Sequence, residues 1–248
     1  MIGGNSLGGM LSRLAVGVLA DYDIWREAVA GLGVMTLLGA VLVWRLLPPS
    51  RHFEPRRLSL GNAISGYALH LGNPLLRRLF LTGFLIMGSF VAFFNYISFH
   101  LMREPIALSQ SAVGWLSLVY LLSTVTSARV GALADRLGAR KVLIGALGVA
   151  VFGVGLTIID QVVPAILGVA IFICGFFAAH AVVSGWVGRS ARQARAQATS
   201  LYQIFFYLGA SVAGSLGGQL WQRADWAGVS LMLTAMLLLS AVLAFRSR

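Results

Sequence analysis

An arginine and a histidine lie well inside apolar stretches of this sequence, away from their ends, where an exposed charge is costly. Arg13 falls within the apolar run 1–20, and His180 falls within the apolar run 163–187. An arginine at the centre of a membrane helix costs at least about 2.5 kcal/mol on insertion scales, and histidine titrates near neutral pH. Both are therefore candidates for binding a substrate or moving a proton. The alternatives are a structural arginine bonded to backbone carbonyls and a histidine that packs through a hydrogen bond.

Neutral polar side chains form two further candidate groups. Asn95 and Tyr96 are adjacent in a phenylalanine-rich apolar run, and Gln203 and Tyr207 are four residues apart in another. A four-residue spacing places two side chains on one face of a helix. A mainly apolar wall with a few polar groups is typical of a small-molecule site. Each group could instead form contacts between helices.

An enzyme is the main alternative class, because His180 and Ser184 would share one helix face as a base and a nucleophile do. No set of oxyanion donors accompanies them, and an enzyme would not explain the internal repeat described below. Cys174 is the single cysteine, so a cysteine-based metal site is excluded. We predict a protein that is not an enzyme, with no metal site and no cofactor.

The elements that must position these residues are set by composition. The 248-residue chain is 58% hydrophobic and 11% charged, and its mean hydropathy is +0.84. Such a chain requires lipid around it, and each membrane span needs about 20 apolar residues. Eight stretches fit this length: 1–20, 25–47, 77–102, 111–132, 140–159, 163–187, 198–221 and 226–246. The sequence predicts an all-α, polytopic membrane protein with eight transmembrane helices.

The net charge of +11 is distributed by topology. Between the predicted spans, the odd-numbered gaps hold three cations, which are Arg26, Arg103 and Arg223. The even-numbered gaps and the C-terminus hold fifteen: Arg45, Arg51, Arg56, Arg57, Arg77, Arg78, Arg129, Arg136, Arg140, Lys141, Arg189, Arg192, Arg195, Arg246 and Arg248. Cations accumulate in cytoplasmic loops, so the C-terminus is predicted to be cytoplasmic. The charge then faces the anionic lipid surface, and no nucleic-acid partner is expected, although a basic cluster at 51–57 leaves that alternative open.

An internal repeat divides the chain. Thirteen residues of 7–45 recur in 208–246 at an offset of 201, including Trp25 and Trp226. Parallel repeats in a hydrophobic chain are typical of secondary transporters. We therefore predict three parts: 1–48 ends a first half with two helices, 49–76 is a cytoplasmic linker with a short amphipathic helix, and 77–248 is a six-helix second half. The counterpart of the start of the second half would precede Met1, so about four upstream helices are expected.

The segment 131–141 reads Gly-Ala-Leu-Ala-Asp-Arg-Leu-Gly-Ala-Arg-Lys. It resembles the G-x-L-A-D-R-x-G-R-K loop signature of the major facilitator superfamily, which occurs after helix 2 and again after helix 8. The resemblance implies a twelve-helix fold of which this chain contains helices 5 to 12. Gly131 is expected to allow close helix approach, Asp135 to accept from an arginine or a helix N-terminus, and Gly138 to form a left-handed turn. Three cations are expected to face the cytoplasm and the anionic leaflet: Arg136, Arg140 and Lys141.

A second motif lies near the start of the chain. Gly4, Asn5, Gly8 and Gly9 resemble the G-P-x-x-G-G core associated with antiporters and exporters of the same superfamily, with Asn5 where the family has proline. The resemblance implies a multi-pass, monomeric permease of the bacterial inner membrane that exports a small molecule by alternating access, driven by protons. The truncated chain is expected to be inactive alone. An inert fragment of a transporter is the alternative.

Overall fold

The computed structural model describes Gly8, residues 25–47 and residues 60–247. All regular secondary structure within these ranges is helical. The helices are α1 Trp25–Leu46, α2 Leu60–Gly72, α3 Pro74–Met102, α4 Gln110–Trp115, α5 Tyr120–Leu137, α6 Ala139–Leu156, α7 Val162–Ser190 and α8 Arg195–Arg246. A 3₁₀ turn, Leu116–Val119, joins α4 to α5.

Local sequence signals explain where two of these helices begin. Asn73 precedes α3, and its side-chain oxygen accepts hydrogen bonds from the backbone N–H groups of Leu75 (2.9 Å) and Leu76 (3.3 Å). Pro74 occupies the first helical position, where its missing N–H costs nothing. Ser109 caps α4 in the same way by accepting from the backbone of Ala112 at 3.1 Å. Both caps satisfy donors that a helix start otherwise leaves unpaired.

Helix α8 is two helices. Ala224 and Asp225 have non-helical backbone angles, with φ of −146° and 48°. We call the parts α8a (195–223) and α8b (226–246). The break falls between the predicted spans 198–221 and 226–246. Helix α1 begins at Trp25 and α8b begins after the break at Trp226, so the two matched tryptophans occupy equivalent positions in the helices.

Five helices are long and apolar enough to cross a membrane: α1, α3, α6, α7 and α8, of which α8 is the broken pair. The predicted span 111–132 is wrong in one respect, because it is interrupted by a 3₁₀ turn rather than formed by one continuous α-helix. The Ser117 hydroxyl donates to the carbonyl of Gly114 at 2.7 Å, a local bond that competes with regular α-helical pairing. The predicted span 1–20 lies outside the described residues apart from Gly8.

Close contact between helices depends on a few glycines. A Cβ atom on Gly168 would lie 2.7 Å from the carbonyl oxygen of Gly153, and one on Gly175 would lie 2.5 Å from the backbone nitrogen of Ala150. Helices α6 and α7 therefore touch backbone to backbone, as membrane helices do where small residues meet. Gly209 of α8a meets the backbone of α3 in the same manner.

Helices α3 and α5 to α8 form one bundle, with buried aromatic and aliphatic side chains between them. Helix α1 packs against none of the other helices in the described ranges, and most of its apolar side chains are exposed, with Ala28 as a buried exception. We call the end of the bundle that contains residues 131–141 the motif end, and the other the opposite end. Helix α3 starts at the motif end and finishes at the opposite end.

Candidate functional site

The loop at 131–141 has the predicted turn. Gly138 has φ of 89° and ψ of 135°, a conformation that favours glycine, and its N–H donates to the carbonyl of Ala134 at 3.0 Å. This turn lets α6 follow α5 directly. The carboxylate of Asp135 lies 3.8 Å from the guanidinium of Arg189, at the end of α7. The positive φ expected at Gly138 is present and Asp135 faces an arginine, while the roles of both residues stay predictions.

Other residues of this loop differ from expectation. Gly131 lies on an exposed face of α5, and a Cβ added there would meet no atom of the described residues within 4 Å, so the close helix approach expected at Gly131 stays a prediction. Arg136 and Lys141 are exposed as expected. Arg140 packs instead against the end of α8b: its guanidinium lies 5.5 Å from the ring centroid of Phe245 and 3.5 Å from the Phe245 carbonyl oxygen.

Arginine contacts therefore tie the helices together at the motif end. Asp135 links α5 to α7, and Arg140 links α6 to α8b. Arg78 donates from the start of α3 to the carbonyl of Arg246, at the end of α8b. Cations at a helix C-terminus satisfy its free carbonyls and its dipole. The motif loop is therefore joined to neighbouring helices by these contacts and is not an isolated turn.

The predicted amphipathic helix of the 49–76 segment is present as α2, and it is docked on the bundle. The imidazole Nε2 of His70 lies 3.0 Å from the carbonyl oxygen of Ala194, and the Tyr67 hydroxyl lies 3.5 Å from that of Ser200. Ala194 has φ of 47°, so the turn that leads into α8 is left-handed where His70 meets it. Ile64 and Leu71 are exposed on α2. One face of α2 packs against α8a and another remains apolar and open.

His180 lies in the bundle interior. Its Nδ1 is 2.9 Å from the hydroxyl of Tyr202, and its ring packs against those of Phe176 and Phe206. Gly83 makes room for Tyr202, because a Cβ there would lie 2.5 Å from the tyrosine ring. These contacts favour the hydrogen-bonded packing histidine, and the proton-coupling role of His180 stays a prediction.

The serine and histidine of the enzyme alternative do not pair. The Ser184 hydroxyl donates to the carbonyl of Ala181, one turn earlier in the same helix, at 3.2 Å. The hydrogen bond of His180 goes to Tyr202 instead. A nucleophile needs its base within hydrogen-bond reach, so this pair is not poised for acyl transfer.

A cavity of about 630 Å³ lies at the opposite end, between the last turns of α3, the start of α4 and α7. Asn95 lines it, as predicted for a cavity residue. Further lining residues are Phe94, Ser98, Gln110, Val113 and Val169. A volume of this size is typical of small-molecule sites. It is the candidate binding site of this part of the protein.

Three predicted cavity residues have other positions. The Tyr96 hydroxyl donates to the carbonyl of Gly214 at 2.7 Å, and its ring fills the space left by Gly217. Tyr96 is thus a contact between α3 and α8a, the alternative left open by the sequence. Gln203 and Tyr207 are exposed on α8a and do not line either of the cavities found in the described structure.

Sequence reasoning missed Ser98 and Gln110. Ser98 follows Asn95 by three residues, a helical spacing that places both on one face of α3. That spacing was sufficient to find Ser98. Gln110 is the first residue of α4, on the other side of the α3–α4 connection from Asn95 and Ser98. No local sequence pattern predicts that it lies near them.

A charged cluster at the opposite end was also missed. Arg103 pairs with Asp225 at 2.6 Å and lies over the Trp221 ring, 4.8 Å from its centroid. The imidazole of His100 stacks on the Trp226 indole, and its Nε2 is 3.0 Å from the carbonyl oxygen of Thr157. The cluster ties the connection after α3 to the break in α8. The contact between His100 and Thr157 joins residues 57 apart in sequence, and that between Arg103 and Asp225 joins residues 122 apart, so only the fold brings them together.

The motif near the start of the chain cannot be placed. Gly4, Asn5, Gly9 and Arg13 lie outside the described residues. Gly8 is helical and exposed, and a Cβ added there would meet nothing within 4 Å. The substrate or coupling role of Arg13 and the antiporter motif therefore stay predictions.

These features define a multi-pass helical membrane protein. It has apolar helices of membrane length, a cavity of small-molecule size at one end and a set of arginine contacts at the other. Comparison with known proteins gives the family. Residues 79–248 match the Major Facilitator Superfamily, and the chain belongs to it. This is a family of transporters and not of enzymes.

Individual relatives cover almost the whole chain. It is 42% identical over 245 residues to the inner membrane transport protein YnfM of Escherichia coli, and 41% identical over 239 residues to the uncharacterized MFS-type transporter YybF of Bacillus subtilis. These matches cover 99% and 96% of this chain, and 59% of the length of each relative. An uncharacterized transporter of Buchnera aphidicola is 38% identical over 245 residues, which is also 59% of its length.

Proposed function

We propose that this chain is part of a transporter that moves a small molecule across the bacterial inner membrane by alternating access. One structural observation supports this best: the cavity is confined to the opposite end, in the last third of α3. Toward the motif end the bundle is closed by stacked aromatic rings, including Phe90 on Phe176 at 4.0 Å between centroids, and by the pair His180 and Tyr202. A site open at one end and closed at the other is what one state of an alternating-access cycle requires.

In this proposal the motif end is cytoplasmic, and so is the C-terminus. Arginines and a lysine crowd that end, whereas the described connections at the opposite end have two, Arg103 and Arg223. The excess follows the positive-inside rule. Residues 1–48 and 77–248 would belong to two halves, joined by the linker 49–76 with α2 on the cytoplasmic surface, in a protein that acts as a monomer.

Asp135 and Arg189 are proposed to latch the cytoplasmic side. Their side chains are 70% and 56% exposed, and exposed ion pairs are typically worth about 0–1 kcal/mol. A contact of that strength forms and breaks readily. This suits a latch that opens once in each transport cycle and would not suit a permanent brace.

Proton-coupled export is the finer part of the proposal. His180 is the histidine of α7, and its bond to Tyr202 connects α7 to α8a. A proton on His180 would change the donor and acceptor roles in that bond, which is a direct way to couple protonation to helix packing. Arg13 is the second coupling candidate, from the sequence alone.

The test uses a chimera that joins residues 1–248 to the N-terminal part of YnfM that the match does not cover. Reconstituted in vesicles with a trapped pH dye, it is expected to exchange protons when compounds of a small-molecule panel are added, and a protonophore should abolish the signal. His180→Gln should lower that exchange without lowering the amount of protein inserted. A chimera that inserts fully and moves no compound would contradict the transport proposal. The unextended chain is expected to show no flux, and robust flux from it would show that these residues suffice.

A further inference from the structure

We infer that the 630 Å³ cavity binds an uncharged small molecule with an apolar body and two or three hydrogen-bonding groups. The inference rests on the proposed function for its biological meaning, because the cavity is taken as part of the transport pathway. The reasoning concerns three properties of the wall: its apolar surface, its unpaired neutral polar groups and its lack of charge.

The wall is mainly apolar. Phe94 and Phe99 of α3 contribute aromatic rings. Val113 of α4 and Val169 of α7 contribute aliphatic side chains. The rings of Phe94 and Phe93 pack edge to face with centroids 5.4 Å apart, so the aromatic wall is backed by the bundle core. A rigid apolar wall favours a ligand whose body is apolar, since burial stabilises by about 25 cal/mol per Å² of apolar area.

Three neutral polar side chains converge on this wall without partners. The side chains of Asn95, Ser98 and Gln110 form no hydrogen bond to any other described residue. Ser117 also lines the cavity, but its hydroxyl already donates to the carbonyl of Gly114. Each amide offers both a donor and an acceptor, and the serine hydroxyl does the same. A ligand with matching groups would satisfy side chains that the described residues leave open.

No ionisable side chain is among the described residues that line this cavity. The charges at the same end are gathered in a second cavity of about 360 Å³, lined by His100, Arg103, Glu104, Asp160 and Asp225. Within this cavity Arg103 is bound to Asp225, and the imidazole of His100, which is charged only when protonated, lies 3.9 Å from the carboxylate of Asp160. The fold has thus separated a neutral site from a charged one.

This separation determines which ligand the first cavity selects. A charged ligand that enters it gives up hydration and finds no opposite charge on this wall, and such desolvation costs several kcal/mol per ion. An uncharged ligand of the same shape avoids that cost. The cavity should therefore discriminate most strongly against charged ligands. It should next favour ligands with hydrogen-bonding groups, because a site built from polar groups rejects ligands that leave those groups unpaired.

The experiment compares two probes that share one aromatic skeleton. N-phenyl-1-naphthylamine is uncharged, and 8-anilino-1-naphthalenesulfonate is its sulfonated, anionic analogue; both fluoresce in apolar surroundings. Residues 1–248 in lipid nanodiscs are titrated with each probe, and the signal of empty nanodiscs is subtracted. We expect a saturable component for the uncharged probe with a dissociation constant at least tenfold lower than for the anion.

Two variants tie the signal to the cavity. Ser98→Phe fills the space beside Asn95 and should remove the saturable component, and Ser215→Phe, on the exposed face of α8a where Ser215 bonds only to its own helix, is the matched control that should retain it. Gln110→Leu keeps the size but removes one polar group, and should weaken binding without abolishing it. Circular dichroism of each variant shows that it is folded.

The inference is overturned if the anion binds as tightly as the uncharged probe, or if Ser98→Phe leaves the titration unchanged, as it would when lipid tails occupy the cavity. Failure of the proposed function looks different, because it appears as a chimera that inserts and moves nothing while nanodisc binding persists. A chimera that transports only charged compounds would refute the inference and leave the transport function standing.

Discussion

The contact between α6 and α7 allows a quantitative test on a single helix. Gly153→Ala adds a methyl group where the two helices touch, and Gly148→Ala adds the same group on an open face of α6. A Cβ on Gly153 would lie 2.8 Å from the carbonyl oxygen of Gly168 and 2.8 Å from the Cα of Phe172, with the backbone nitrogen of Phe172 nearer still. A Cβ on Gly148 would meet no atom within 4 Å in the described structure.

The magnitude follows from these distances. The obstructing atoms on α7 belong to the backbone, so no side chain can rotate away. The 2.8 Å contacts must widen to the 3.4 Å at which ordinary contact begins, and the Phe172 nitrogen is nearer still, so the helices must separate by at least about 0.6 Å. Gaps of roughly 0.5–1 Å lose about a quarter to a half of the dispersion energy of each contact. We expect Gly153→Ala to destabilise by about 1–3 kcal/mol through overpacking. Gly148→Ala should stabilise by about 0.5–1 kcal/mol, because alanine is the better helix former.

The sole cysteine supplies the assay. Cys174 is part-buried in α7, so a thiol-reactive dye labels it faster as the bundle opens on heating. The labelling midpoints of purified Gly153→Ala and Gly148→Ala should differ by at least about 3 °C, at roughly 2–4 °C per kcal/mol for a domain of this size. Cys174 is close to Phe172, so the Gly153→Ala substitution could change its labelling directly. Loss of ellipticity on heating is therefore measured as an independent check. Equal midpoints for the two variants would show that α6 and α7 are not in backbone contact.

Three further outcomes are expected. Tyr96→Phe removes the hydroxyl that donates to Gly214 and should lower stability by about 0.5–1.5 kcal/mol in the same melting assay, with no change if that bond is absent. Asp135→Asn in the YnfM chimera should slow transport at equal membrane abundance, and a parental rate would exclude the latch. Arg13→Gln should abolish chimera transport while melting normally, with partial activity in Arg13→Lys; joint loss of stability and activity in both variants would mark Arg13 as structural.

Much of the fold was predictable from local patterns. Hydropathy located the helices, and the matched tryptophans placed the break in α8 to within a residue, because turn residues and span length are local properties of a membrane chain. Gly138 was predictable for the same reason, since a left-handed turn favours glycine wherever it occurs. The interruption at Leu116–Val119 was not, because its residues are ordinary helix formers and the deviation is small.

The site was predictable only in part, because an apolar helix conceals which of its faces is inward. Asn95 and Tyr96 are neighbours in sequence, yet one lines the cavity and the other seals α3 against α8a. A difference of one residue turns a side chain by about 100° around the helix. The sequence does not show which helix packs against each face of α3, so it could not separate the role of Asn95 from that of Tyr96.

The strengths of the contacts indicate which parts move together. The glycine contacts between α6 and α7 involve backbone atoms, so separating these helices leaves a gap. At the opposite end the buried Trp226 indole N–H donates to the buried Thr157 hydroxyl at 3.2 Å, and breaking that bond leaves an unpaired buried donor. The pair Asp135 and Arg189, by contrast, is exposed to water and weak. If transport requires motion, the least costly motion therefore preserves the six-helix body and opens the ionic contacts at the motif end. Under the proposed function, this ordering favours the motif loop as the gate and the remaining helix contacts as a rigid support for the cavity.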